Sequence, residues 1–251
     1  MNNQRKINSI VRAINIIKLL DQGVNSFTDI VNALDMKKST VHGLIKTLEY
    51  EGFVTQNPVD RCYYLGPSLI RLESNPYNMH RNLINIARGK MELLQKYTGE
   101  TVVLVILLGT YVFTLEVIQS KEDIVYVVER GTSIPAYVGP AARTLLSQLN
   151  KKDMDNIIDY LNFVPFTPAT VMDKNVIKKQ VRYAKKNGYF ITSCEKSVGS
   201  LGISVPIKNY ICPAALTVLG PEYRLRPKSN EVIQESKRIA NQISNDLKEH
   251  Q

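Results

Sequence analysis

The chain has 251 residues, a formal net charge of +9, 44% hydrophobic residues and 22% charged residues. That length holds two modest domains or one large one, and the composition is ordinary for a soluble globular protein. The longest apolar run, residues 102–108, is far too short to span a bilayer, and a periodic helix follows the start in place of a signal-peptide core, so the expected location is the cytoplasm.

In chain order, the first predicted helix runs over Ser9–Leu20, with Ile10, Ile14, Ile17 and Leu20 inward. Ser26, three residues before Asp29, is an N-cap signal for a short helix ending near Leu34. After a turn at Asp35-Met36-Lys37, a second helix is predicted over Lys38–Tyr50. It has Val41, Leu44, Ile45 and Leu48 on one face and Ser39, Thr40, His42, Gly43, Lys46 and Thr47 on the other. Short hydrogen-bonding groups and one cation suit a helix that enters the major groove of duplex DNA. Such a face is also what any solvated helix shows; the order of elements favours the DNA reading. Residues 52–56 and 61–65, joined by Asn57-Pro58-Val59-Asp60, complete the unit as a two-stranded wing with Arg61 near its tip.

Pro67–Pro76 reads as a short helix between two prolines, ending in Ser-Asn-Pro, and marks the boundary. The expected division is therefore residues 1–66, a linker or hinge at 67–77, and a second domain at 78–251. In that domain a long helix is predicted over Met79–Tyr97, with Leu83, Ile86, Ala87, Lys90 and Leu94 along one side. Strands follow at Thr101–Leu108, Tyr111–Gln119 and Ile124–Val128, then helices at Pro140–Leu149, Lys151–Leu161 and from Asp173 to Asn187. Tyr189–Cys194, Gly202–Ile207 and Ile211–Leu219 are three more predicted strands, before a final amphipathic helix at Ser229–Glu249. The fold class is α+β: a winged helix-turn-helix followed by an antiparallel sheet of about six strands with helices packed on it.

Charge adds little to the DNA reading. Residues 1–75 hold nine Lys/Arg against seven Asp/Glu, so most of the basic excess lies in the second domain. Catalytic chemistry is hard to place there. The three histidines are His42 in the second helix, His80 at the linker and His250 at the tail, which leaves no Ser-His-Asp or Cys-His set in the strands or loops. Cys62, Cys194 and Cys212 are widely spaced, with no CxxC pair and no zinc or disulfide framework. Glu116, Glu129 and Glu195 lack metal-ligand spacing, so no cofactor is expected. The Gly139–Ala142 turn, residues 192–195 and the small residues Gly199, Ser200, Gly202 and Ser204 frame an apolar ligand cup, or simply permit tight helix–sheet packing.

Four segments carry a resemblance over nearly the whole chain: residues 9–20, Lys38-Ser-Thr-Val-His, Thr47-Leu-Glu-Tyr-Glu-Gly-Phe-Val and Tyr64-Leu-Gly-Pro. They resemble the IclR family of transcriptional regulators. The resemblance implies a GAF-like effector-binding second domain, a dimer or dimer of dimers, a palindromic operator, and no catalysis. It implies that Ser39, Thr40, His42 and Lys46 enter the major groove, while Lys37, Lys38 and Arg61 hold phosphates or reach the minor groove. It places the effector among Tyr126, Pro140, Ala141, Thr192, Gly202, Ser204, Thr217 and Leu219. Departures from the family pattern are Gly43 where Arg is common, Thr192 where an acid is common, Gly202 for Cys and Leu219 for Ser. A roomier, less polar pocket is expected, for an organic acid or aromatic metabolite bonded to Thr192, Ser204 and Thr217. A sensor enzyme, or a winged helix that docks protein, are the alternative readings.

Overall fold

The computed structural model describes residues 7–69 and 76–249. The chain divides between Met79 and His80 into two compact units. Most of the predicted linker helix, residues 70–75, and His250 lie outside the described residues.

In the first unit, α1 (Asn8–Asp21), α2 (Phe27–Leu34) and α3 (Lys38–Tyr50) precede an antiparallel hairpin of β1 (Val54–Gln56) and β2 (Tyr63–Leu65). Local chemistry sets the boundaries. The Ser26 Oγ accepts the Asp29 amide at 3.1 Å and donates to the Asp29 carboxylate at 2.6 Å, capping α2. Asp35, in the left-handed region at φ 47°, stops it. Gly66 is sterically required, because a Cβ there would collide with the backbone of Gly52 and Phe53.

The core gathers Ile16, Leu20, Ile30, Val31, Val41, Ile45, Leu48, Val54 and Tyr63. The face predicted for α1 is corrected: Ile10 and Ile14 are 54% and 45% exposed, whereas Ile16 is fully buried. Residues 13, 16, 17 and 20 form a stripe of the same period next to the predicted one. Both stripes are apolar, so periodicity alone could not choose between them. Ile7, Ile10, Val11 and Ile14 remain as an exposed apolar row.

α4 (Pro76–Met79) is a single turn. The second unit continues with α5 (Arg81–Thr98), β3 (Thr101–Leu108), β4 (Tyr111–Ile118), β5 (Ser133–Pro135), α6 (Gly139–Leu146), α7 (Lys151–Tyr160) and α8 (Lys174–Asn187). It ends with β6 (Phe190–Ser193), β7 (Ser200–Ile207), β8 (Ala214–Pro221), α9 (Glu222–Leu225) and α10 (Ser229–Glu249). The six strands are antiparallel in the order β5-β4-β3-β8-β7-β6. β3 is an unbroken apolar run because both of its faces are covered. Val103, Val105 and Leu107 share a core with α6, α7 and α8, while α5 and α10 pack on the sheet. Along α5 the buried residues include Leu83, Ile84, Ala87, Met91 and Leu94; the predicted Ile86 and Lys90 are only half-buried.

Two expectations are corrected in this unit. Ile124–Val128 is not a strand. The carbonyls of Ile124, Tyr126 and Val128 accept hydrogen bonds from side chains of Arg224 (2.8 Å), Thr101 (3.0 Å) and Gln119 (2.6 Å) instead of from a backbone ladder. The strand at this sheet edge is β5, at Ser133–Pro135. His80, placed at the linker by the sequence, instead opens the second unit, 4% exposed and with Nδ1 2.7 Å from the Tyr210 hydroxyl.

Candidate functional site

On α3, burying Val41, Ile45 and Leu48 turns Ser39, Thr40, His42, Gly43 and Lys46 outward, and Lys37 and Lys38 at the helix start are exposed with them. Residues 39, 42, 43 and 46 are one helical face. His42 packs edge-on to Phe27, with ring centroids 6.3 Å apart, which fixes its ring beside the start of α2. The Lys46 ammonium lies 2.8 Å from the Glu49 carboxylate, and that hydrogen bond holds its pKa above the ordinary lysine value. Thr47 donates its hydroxyl to the Gly43 carbonyl and is therefore committed to the helix. Nothing lies within 4 Å of a Cβ built on Gly43, so that position is a gap in the outer face. In the wing, Arg61 is exposed at φ 59°, in a loop tied by Asn57 to Val59 (2.9 Å) and by Asp60 to Cys62 (2.8 Å) and the Tyr64 hydroxyl (2.8 Å).

The second unit contains a cavity of about 460 Å³ between the sheet and α6. Tyr126, Pro140, Ala141, Thr192, Gly202, Thr217 and Leu219 line it together. Ser204 does not. It is fully buried one layer behind, where its Oγ accepts the Thr217 hydroxyl at 2.9 Å, so a direct bond from Ser204 to a ligand is replaced by support for Thr217. Nor is the cavity roomier at Gly202. A Cβ there would lie 2.8 Å from both the Leu219 Cδ2 and the Pro140 Cγ, so those two side chains fill the space that Gly202 vacates. Leu219 and Pro140 make the wall at Gly202 aliphatic, and the cavity is not deepened there.

Sequence reasoning missed several lining residues. Val103, Val105 and Val112 are the cavity-facing alternates of β3 and β4, hidden in runs that are apolar throughout. Glu129 and Lys196 sit in segments without periodicity. Glu195, at the end of the 192–195 segment expected to frame the cup, lines the cavity with its carboxylate, and its buried partner was not foreseen. It accepts the Gly139 amide at 3.0 Å and pairs at 3.0 Å with Arg143, a fully buried guanidinium. Arg143 also donates to Gln180 and to the carbonyls of Tyr137 and Gly139. Burial pushes the Glu195 carboxyl up despite Arg143, and pushes Arg143 down despite Glu195. Desolvation therefore outweighs the attraction at both ends of the pair. At the mouth, the Tyr126 hydroxyl is 3.4 Å from the Ser197 Oγ.

These two sites can bind; among the described residues no group of three His, Cys, Asp or Glu could hold a metal ion. Residues 9–58 match the family model of the IclR helix-turn-helix domain, and residues 76–245 match that of the bacterial transcriptional regulator IclR C-terminal domain. The HTH-type transcriptional regulator XynR of Escherichia coli K12 is 27% identical over 207 residues, covering 81% of each chain. In shape, the chain is similar to an IclR-family regulator from a Rhodococcus species (TM-score 0.68, 24% identity, 98% of this chain and 96% of that one). It is also similar to an IclR homologue from Microbacterium hydrocarbonoxydans complexed with 4-hydroxybenzoate (TM-score 0.62, 20% identity, 96% and 99%).

Proposed function

We propose, from the premise that this chain belongs to the IclR family of helix-turn-helix transcriptional regulators, a division of labour in which α3 and the wing read an operator and the cavity senses a metabolite. The family makes it a DNA-binding regulator with an effector domain and not an enzyme. The observation that carries the finer reading is the outer face of α3. Ser39, Thr40, His42 and Lys46 are free of the core and would meet base edges, while Lys37, Lys38 and Arg61 would hold phosphates. Lys46 would exchange Glu49 for DNA. Lys46→Ala should weaken operator binding and leave the oligomer intact; an unchanged affinity in a mobility-shift titration would remove it from the contacts.

The exposed row of Ile7, Ile10, Val11 and Ile14 supports pairing with a second copy, and hence a dimer or dimer of dimers. Two-fold pairing implies a palindrome with half-sites roughly 34–36 Å apart, or a multiple. Residues 67–77 would act as the hinge between residues 1–66 and 78–251, and the protein would work in the cytoplasm, where its DNA is.

The effector is an organic acid or aromatic metabolite. A cavity of about 460 Å³ with valine walls accommodates a single ring with its substituents, and a related protein holds 4-hydroxybenzoate. Tyr126, Pro140, Ala141, Thr192, Gly202, Thr217 and Leu219 would enclose it, with Thr192 and Thr217 offering hydroxyls. Such a ligand changes DNA affinity only by binding one arrangement of the DNA-reading units better than the other. Within that class the valine walls favour a larger, more apolar member than a two- or three-carbon oxo acid; calorimetry that finds tight binding of pyruvate or glyoxylate and no response to larger or aromatic acids would contradict this.

A further inference from the structure

The cavity wall mixes aliphatic side chains with a few charged ones, and its charges are unevenly spent. Where α6 begins, two positions are withheld from a ligand: the Gly139 amide is taken by Glu195 at 3.0 Å, and Pro140 has no N–H. Arg143 is fully buried and engaged with Glu195, Gln180 and two carbonyls, so no cation there is free. The Glu195 carboxylate is engaged by Arg143 and the Gly139 amide and has no donor to give an anion. Leu219 and Pro140 close over Gly202, and with Val103, Val105 and Val138 they make that wall aliphatic.

The rim is different. Lys196 is the one cation lining the cavity among the described residues, and it makes no ion pair among them. Its ammonium rests 4.3 Å from the centre of the Phe166 ring, a weak hold compared with a carboxylate. Glu129, exposed at the same rim, carries the opposing charge.

We infer that the effector enters ring first, its apolar end against the Leu219–Pro140 wall and its carboxylate turned outward onto the Lys196 ammonium. This orientation rests on the aromatic-acid reading above. It makes Lys196 the residue that selects acids, and Leu219 the residue that limits the length of the buried end.

Benzoate, benzamide and 4-ethylbenzoate, titrated calorimetrically into the full chain, test both parts. Lys196→Met should weaken benzoate about tenfold and leave benzamide unchanged, since only the acid gains a charge-assisted bond, and Lys196→Arg should restore benzoate. Leu219→Ala should favour 4-ethylbenzoate over benzoate several-fold relative to the unaltered chain. Equal loss of benzoate and benzamide in Lys196→Met, or unchanged benzoate, overturns the orientation while the aromatic-acid reading stands. No gain for 4-ethylbenzoate in Leu219→Ala overturns the length limit. An unaltered chain that binds none of the three removes the aromatic-acid reading, and the orientation with it.

Discussion

Ser26, Gly43, His80 and Glu195 each have a defined energetic role. Ser26→Ala leaves the Asp29 amide uncapped and should cost the first unit about 1 kcal/mol in thermal unfolding. Gly43 has ordinary helical backbone and open space around it, so Gly43→Ala should stabilise the same unit by about 0.5–1 kcal/mol; destabilisation would mean that the position is not free. Glu195→Ala strands a fully buried guanidinium and should cost the second unit about 3–5 kcal/mol, which urea unfolding would measure. His80 gives the unit a pH dependence. Burial lowers its pKa, so as pH falls through the ordinary histidine value of about 6.5 the unfolded chain takes up a proton before the folded one does. Stability therefore declines from there to the lowered native pKa and levels off below it. Tyr210, pushed up to about 12, and Cys212, pushed up to about 11, stay neutral in this window. His80→Asn should flatten the decline in a melting series, and an unchanged slope would contradict this assignment.

Among the elements, legibility followed how local the cause was. The ends of α2 and α8 were readable because single residues set them: Ser26 and Asp35 for one, Asp173 and Gly188 for the other. The β3–β4 hairpin was readable from the two β-rich runs at residues 101–108 and 111–119, so close in sequence that they pair antiparallel. The buried face of α1 was not, since two apolar stripes compete and only contacts with α2, α3 and β2 choose between them. Residues 124–128 were misread for a related reason. Their composition suits a strand, yet their carbonyls are satisfied by Thr101, Gln119 and Arg224, from distant points in the chain. Arg224 is itself anchored on the buried Glu100 by bonds of 2.6 and 2.8 Å. Arg224→Ala should therefore speed amide exchange across residues 120–130 more than in β3 or β8, and protection left intact would show that Thr101 and Gln119 suffice. In the cavity, the turn and strand positions were legible from the family pattern, whereas Lys196 and the exchange of volume between Gly202 and Leu219 required three dimensions.

For the whole molecule, the weak charge of the N-terminal unit leaves the proposed recognition to helix and wing geometry, with phosphate contacts expected to supply a salt-dependent share. Removing Lys37, proposed to hold a phosphate, should lower the slope of log affinity against log salt by about one, the share of a single phosphate contact. On the proposed function, this chain reads a specific DNA sequence through α3 and its wing. The most direct test is recovery of genomic DNA fragments by the purified full chain at near-physiological salt, beside the Lys46→Ala variant. Discrete palindromic sites, enriched by the unaltered chain and depleted with the variant, are the predicted result. Recovery no better than random fragments for both proteins, with and without added benzoate, would contradict it.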